Sequence, residues 1–302
     1  MTSPTDWTGR VGDVWAAEWR RTDRSFADLS RHLDAAILAA APDGPFRALD
    51  IGCGAGGTSL ALATTRTDAT IIGVDLSTSL VDVANDRLIR AVLSRGRIPG
   101  AICGSSDAPW DRPAPEHGGA VGNVTFLAGD ALDLATVHAP FDLLYSRHGV
   151  MFFDDPVAAF ATLRHAAVPG ARLIFSCFRN WSANAFATAP AEALGLSPPG
   201  SGPGPFAFAD RDRVAGILAG AGWRDAHATP VAFAYRAGGG TDPLGDALEM
   251  LQRIGPAAAA LRGMADGDRG AAIDRLRGVI DRYRTTDAVD FPAAAWIWSA
   301  KA

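Results

Sequence analysis

Four glycines crowd the stretch RALDIGCGAGGTSLALA (residues 47–63), at Gly52, Gly54, Gly56 and Gly57, two residues behind the carboxylate of Asp50. Without Cβ atoms the turn lets a ligand approach the backbone, and it can adopt the φ > 0 angles of a tight strand-to-helix connection. Gly52, Gly54 and Gly57 also fit the dinucleotide spacing G-x-G-x-x-G, so the glycines alone leave more than one nucleotide-bearing cofactor open. Asp50 narrows the choice. A carboxylate in that position suits a cationic ligand group and suits a pyrophosphate poorly.

Two further acids stand at predicted strand ends. Residues 69–74 (ATIIGV) read as a strand ending in Asp75, about 20 residues beyond the glycine turn, where an acid accepts hydrogen bonds from a ribose diol. A helix cap by Asp75 or Ser77 is the alternative. Residues 124–127 run into Gly129-Asp130-Ala131, where Asp130 is placed to accept from an exocyclic adenine amine or to serve an ordinary turn. S-adenosylmethionine, with its ammonium, ribose and adenine, would use all three acids. A nicotinamide dinucleotide uses Asp75 and leaves Asp50 and Asp130 unexplained.

The elements that must position these residues alternate. Strand, turn and helix patterns repeat from Arg47 onward, which implies a parallel sheet flanked by helices, with ligands at the strands' carboxyl ends. The turn D-x-G-x-G-x-G (Asp50, Gly52, Gly54, Gly56), the GVDLS acid Asp75, the GDA acid Asp130 and the runs FDLLYSRHGVMFFDDP and VPGARLIFS fall in order over residues 45–180. In these motifs the chain resembles the class I, Rossmann-like S-adenosylmethionine-dependent methyltransferases. The resemblance implies a three-layer, doubly wound, mostly parallel seven-stranded sheet ending in an antiparallel hairpin. It gives Asp50 and the turn residues Gly52, Cys53, Gly54 and Gly56 the methionine moiety, and Asp75 the ribose. Leu76 receives one adenine face, and Asp130 with Ala131 the adenine amine. Cys53 contributes its backbone rather than its thiol.

Ser146, Arg147 and His148 follow the fourth strand, which the resemblance puts near the transferring methyl group. Ser146 is assigned to the cofactor, and Arg147 and His148 to catalysis. An aromatic residue commonly stands where this chain has His148, whose type suits proton removal from an acceptor hydroxyl or amine near neutrality; the alternative is a packed polar ring. Arg147 holds an acidic substrate group or pairs with Asp154 or Asp155.

Before the sheet, residues 1–44 are read as a helical lid. Val11, Trp15 and Trp19, then Phe26, Leu29, Leu33 and Ile37, form helical stripes, with Asp23 or Ser25 capping a second helix. Trp15 is a core residue or a lid over the cofactor, and Arg20, Arg21 and Arg24 read as a solvated face. The remainder, 45–302, is read as the methyltransferase-like domain. It carries a Pro/Gly-rich insertion at 95–122 anchored by Trp110, and a substrate-side segment at 179–209 with Trp181, Asn184, Phe206 and Phe208. A helical insertion at 238–287 reads as a cap or as a contact between copies in a homo-oligomer.

Of 302 residues, 48% are hydrophobic and 20% charged, with a net charge of −5, so there is no basic footprint for nucleic acid or an anionic membrane. The N-terminus lacks signal-peptide character, and no apolar run approaches a membrane helix; the expectation is a cytoplasmic protein. Cys53, Cys103 and Cys177 lack metal-ligand or disulfide-framework spacing, and no metal is expected. The expected partner is a small-molecule methyl acceptor receiving the methyl group on O, N or C by in-line displacement. The rival functions are a nicotinamide-dependent oxidoreductase and a non-catalytic cofactor-binding subunit.

Overall fold

Period-two apolar runs and helical stripes resolve into one seven-stranded sheet with flanking helices. The computed structural model describes residues 4–95, 123–200 and 202–302. The strands are β1 (Phe46–Ile51), β2 (Ala69–Asp75), β3 (Val124–Ala128), β4 (Phe141–Arg147), β5 (Ala167–Phe178), β6 (Arg224–Gly239) and β7 (Ala288–Lys301). Their order is β3-β2-β1-β4-β5-β7-β6. The first five in that order pair in parallel, and β7 runs antiparallel to both β5 and β6. The order reverses between β1 and β4, and ligands in such sheets bind outside the strand ends at that reversal.

β1 is buried on both faces, with Ala48 and Leu49 fully covered, as expected of a central parallel strand. Behind it, α4 (Gly57–Thr65) starts from Gly56, whose φ of 76° only glycine adopts without strain. A side chain there would also strike the Phe126 ring. β2 leads into α5 (Thr78–Arg95), whose first turn Ser77 caps by accepting from the Leu80 N–H (3.2 Å). Asp130 caps α6 (Ala131–His138), and Asp155 caps α7 (Pro156–His165). Phe160 and Leu163 of α7 are buried against the sheet, whereas Val157 at its start is 40% exposed.

The N-terminal region contains α1 (Pro4–Trp7), α2 (Arg10–Ala17) and α3 (Trp19–Ala40). The break between α2 and α3 falls at Glu18, not at Asp23 or Ser25. Ser25 bonds back to the Arg21 carbonyl (2.9 Å) and across to that of Arg236 (2.9 Å), so it stays inside the helix. Leu29, Leu33 and Ile37 of α3 are buried, each contributing roughly 1.5–3 kcal/mol of burial.

β5 is followed by α8 (Ala185–Leu194) and α9 (Arg211–Gly220). Between β6 and β7 come α10 (Pro243–Arg253), α11 (Gly255–Arg262) and α12 (Asp266–Asp281), which make up the helical insertion expected at 238–287. α10 also overturns the reading of Arg21 and Arg24 as solvated. Arg21 pairs with Asp246 (2.8 Å), Glu249 (2.6 Å) and Glu18 (2.7 Å), and Arg24 with Asp246 (2.5 Å). The insertion expected at 95–122, with Trp110, lies outside the described residues beyond Arg95.

Candidate active site

One cavity of about 510 Å³ lies at the strand ends, walled on its first side by β1, β2 and β3. Gly52 and Gly54 carry φ of 66° and 54° and line it with Cys53 between them. A Cβ placed on Gly54 meets nothing within 4 Å, so a side chain there would project into open space at the cavity wall. Asp75 holds the turn: its Oδ2 accepts from the Gly54 N–H (2.9 Å) and its Oδ1 from the Ser77 N–H (2.9 Å). Burial nonetheless pushes its carboxyl above the usual carboxylate range. Each oxygen retains a lone pair for a ligand hydroxyl. Leu76, Asp130 and Ala131 continue this wall, although Asp130 also accepts from the Leu132 N–H (2.7 Å) as a helix cap. Trp15 lines the cavity opposite, its ring 5.9 Å from that of Trp7, which meets Phe152 edge-on at 5.2 Å.

Three residues assigned to the cofactor do not line the cavity. Asp50 is 1% exposed and accepts from the Ser59 hydroxyl (2.7 Å), which also meets the Tyr145 hydroxyl at 3.0 Å. Burial first, eased by the Ser59 bond, pushes the Asp50 carboxyl up to about 7. Asp50 therefore supports the turn from behind rather than facing a ligand. Ser146 is fully buried; its hydroxyl donates to the Ile51 carbonyl (2.6 Å) and accepts from the Gly149 N–H (3.1 Å), tying the tips of β1 and β4 together. Gly56 packs against Phe126, as its helix-start geometry requires.

The second side of the cavity is formed by β4, β5, β6 and the helices over them. Arg147 lines it but pairs with neither Asp154 nor Asp155. Its guanidinium binds Asp23 of α3 (2.7 Å), which also holds Arg87 (2.9 Å). Burial opposes charge on both partners, and their attraction outweighs it, holding Asp23 below and Arg147 above their ordinary values. An acidic substrate group would have to displace Asp23.

His148 adopts a left-handed backbone, φ 62°, and is 7% exposed. Its Nδ1 lies 2.7 Å from the Ser176 hydroxyl, and its Nε2 is buried without a partner. Burial, then the Arg147 charge, push its pKa down to about 3, so the ring is neutral near pH 7. Phe178 stands edge-on to it at 4.2 Å, and Phe26 lies 5.1 Å away. Phe186 and Tyr235 stack at 4.2 Å, and Phe206 packs on Phe178 at 5.6 Å. Met250, Leu251 and Ile254 from α10 and its C-terminal end complete this apolar chamber.

Sequence reading missed most of that chamber. Phe26 had registered only as core periodicity, while Phe178, Phe186, Tyr235 and Met250 had no local signal. Of the segment 179–209, Phe186, Ala187, Pro190, Pro205 and Phe206 line the cavity. Phe208 is core, and Asn184 is buried, accepting the Ala294 N–H (3.0 Å). Among the described residues no His, Cys, Asp and Glu side chains cluster as metal ligands.

A family model described as a methyltransferase domain matches residues 49–175, the span from β1 into β5 that contains the glycine turn and the tips of β2 to β4. Residues 49–175 thus carry a methyltransferase domain. That match favours the methyltransferase reading over the nicotinamide oxidoreductase. No curated protein matches the chain significantly. Among solved structures the chain is similar to the YcgJ protein of Bacillus subtilis at 15% identity, covering 90% of this chain and 97% of that one, with a TM-score of 0.49. It is also similar to phosphoethanolamine N-methyltransferase 2 of Haemonchus contortus, in complex with S-adenosylmethionine, at 17% identity and TM-score 0.49. All of this chain is covered there, but only 60% of that one. A geranyl diphosphate C-methyltransferase of Streptomyces coelicolor matches at 14% identity over 90% of this chain and 79% of that one, with a TM-score of 0.45.

Proposed function

We propose that the protein methylates a small, uncharged, largely apolar molecule held in the aromatic chamber. The observation that carries this reading is the single cavity joining the glycine turn to a wall of aromatic and aliphatic side chains whose one guanidinium, Arg147, is already neutralised by Asp23. Gly52, Cys53 and Gly54 would hold the methionine end of S-adenosylmethionine through their backbone. Asp75 would accept from the ribose hydroxyls, and Leu76, Asp130, Ala131 and Trp15 would enclose the adenine.

When bound, S-adenosylmethionine would supply an electrophilic methyl group to an acceptor lone pair, leaving as the neutral thioether S-adenosylhomocysteine, with the proton of a hydroxyl or amine acceptor released to solvent. The chain's own contribution is alignment and exclusion of water. Phe26, Phe178, Phe186 and Tyr235 fix the plane of a flat acceptor. His148, neutral and too weakly basic to hold a full proton near pH 7, would instead accept a hydrogen bond at Nε2 from the acceptor's hydroxyl or amine. Ser176 sets the tautomer from Nδ1.

Parallel calorimetric titration with S-adenosylmethionine, S-adenosylhomocysteine, NAD and NADP tests the cofactor half, with binding of the first two alone expected. A screen of neutral aromatic and polycyclic acceptors, read by mass gain of one methyl group, tests the other half. Turnover confined to strongly anionic acceptors would overturn the reading of the chamber, and tight cofactor binding with no turnover on any acceptor would favour a non-catalytic subunit.

A further inference from the structure

Four helices each bring one guanidinium to a second recess, of about 360 Å³: Arg10 from α2, Arg253 from α10, Arg262 from α11 and Arg269 from α12. Val14, Ala17 and Gln252 complete the wall with Glu18, the one acid among the lining residues. That acid is already engaged. Its two carboxylate oxygens take Arg21 (2.7 Å) and Arg253 (2.6 Å), and Arg253 also reaches Glu249 (2.6 Å). Among the described residues, the guanidiniums of Arg10, Arg262 and Arg269 have no ion pair or hydrogen bond.

On a chain of net charge −5, three uncompensated cations drawn from three separate helices create a local field opposite in sign to the whole. Burial and then the neighbouring Arg10 pull the Arg262 guanidinium down from its ordinary value, the mark of like charges held together. A bound anion relieves that repulsion. The planar forks of arginine match the oxygens of a phosphate group in pairs, a geometry that a solvated cationic surface does not need.

We infer that Arg10, Arg262 and Arg269 form a binding site for a phosphate-bearing anion, separate from the methyl-transfer cavity. α10 and the residue after it divide the two: Leu251 and Ile254 face the cavity, while Gln252 and Arg253 face the recess. The site takes either the phosphate of a larger organic ligand or the free anion. It does not depend on the methyl-transfer reading, because none of its lining residues lines the methyl-transfer cavity.

The test is calorimetric titration of inorganic pyrophosphate into the full chain at low ionic strength. Saturable binding is expected, weakened at least tenfold in the double variant Arg262→Gln, Arg269→Gln and weakened by added chloride. A far-ultraviolet spectrum and thermal midpoint matching the parent verify that the variant is folded. Absence of saturable binding to the parent chain, or equal affinity in the folded double variant, overturns the site. Phenyl phosphate binding more tightly than inorganic phosphate assigns the recess to an esterified ligand, and the reverse order assigns it to the free anion; either order upholds the site. Because the readout is anion binding, failure of the chain to bind S-adenosylmethionine would leave this result standing.

Discussion

His148 is held by three constraints at once: a left-handed backbone, a bond from Nδ1 to Ser176 and an edge-on Phe178 ring. Its pKa lies near 3 in the folded chain against 6.5 as the ordinary value, so as pH falls below about 6.5 the unfolded chain takes up the proton first and stability declines toward pH 3. Asp50 acts in the opposite direction. Its carboxyl stays protonated up to about 7 in the folded chain, so stability is lost as pH rises from 3.8 to 7. Replacing His148 with Phe is expected to flatten the acid-side decline, read as thermal midpoints between pH 6.5 and 4; an unchanged slope would refute the buried neutral ring. The same variant should lower kcat/KM by roughly tenfold, the worth of about one hydrogen bond, without removing a titration near pH 6.5 from the rate profile. Asp75→Ala should weaken S-adenosylmethionine binding about ten- to a hundredfold, since it removes a carboxyl acceptor and leaves the Gly54 and Ser77 N–H groups unpaired. Titration of the folded variant checks this, and undiminished affinity would sink the ribose assignment.

At the scale of elements, α3 is the hinge pin of the cap. Arg21 and Arg24 fasten it to α10, Asp23 fastens it to the tip of β4 and to α5, and Asp28 accepts the Ala234 N–H of β6 (2.9 Å). Arg21→Ala would leave Glu18, which is only 4% exposed, with Arg253 alone and Asp246 with Arg24 alone, so a loss of about 1–3 kcal/mol in urea denaturation is expected, between the worth of exposed and buried pairs. A loss within error would mean that the web is ornamental. These contacts explain what sequence could and could not disclose. The glycine turn, Asp75 and Asp130 are local, because each residue and its partners lie within a strand–turn–helix unit or at the adjoining strand tip, and pattern alone located them. Arg21 meets Asp246 across 225 residues and Arg147 meets Asp23 across 124, distances at which no periodicity reports a partner. Arg21 consequently looked solvated, and Arg147 looked set for an acidic substrate group or for Asp154 or Asp155. Asp50 misled for another reason: its position behind the turn was legible, but the direction it faces depends on Ser59 and Tyr145.

For the molecule as a whole, binding that favours the folded state adds stability by mass action. S-adenosylmethionine at a hundred times its Kd should add about 2.7 kcal/mol and raise the thermal midpoint by several degrees, and NAD should not. An equal rise with NAD would contradict the family assignment of the cavity. The two halves of that cavity ride on two strand tips that touch through bare backbone: a Cβ on Gly149 would come within 2.6 Å of the Ile51 carbonyl oxygen and 3.1 Å of the Gly52 Cα. Gly149→Ala is therefore a wedge one methyl group thick, driven between the donor's floor and the acceptor's wall. Each ligand would still find its own half intact, while the spacing between them would be set wrong. Such a variant should bind both partners at near-parental affinity and turn over slowly, a ruler for how closely this enzyme depends on the distance across its own seam.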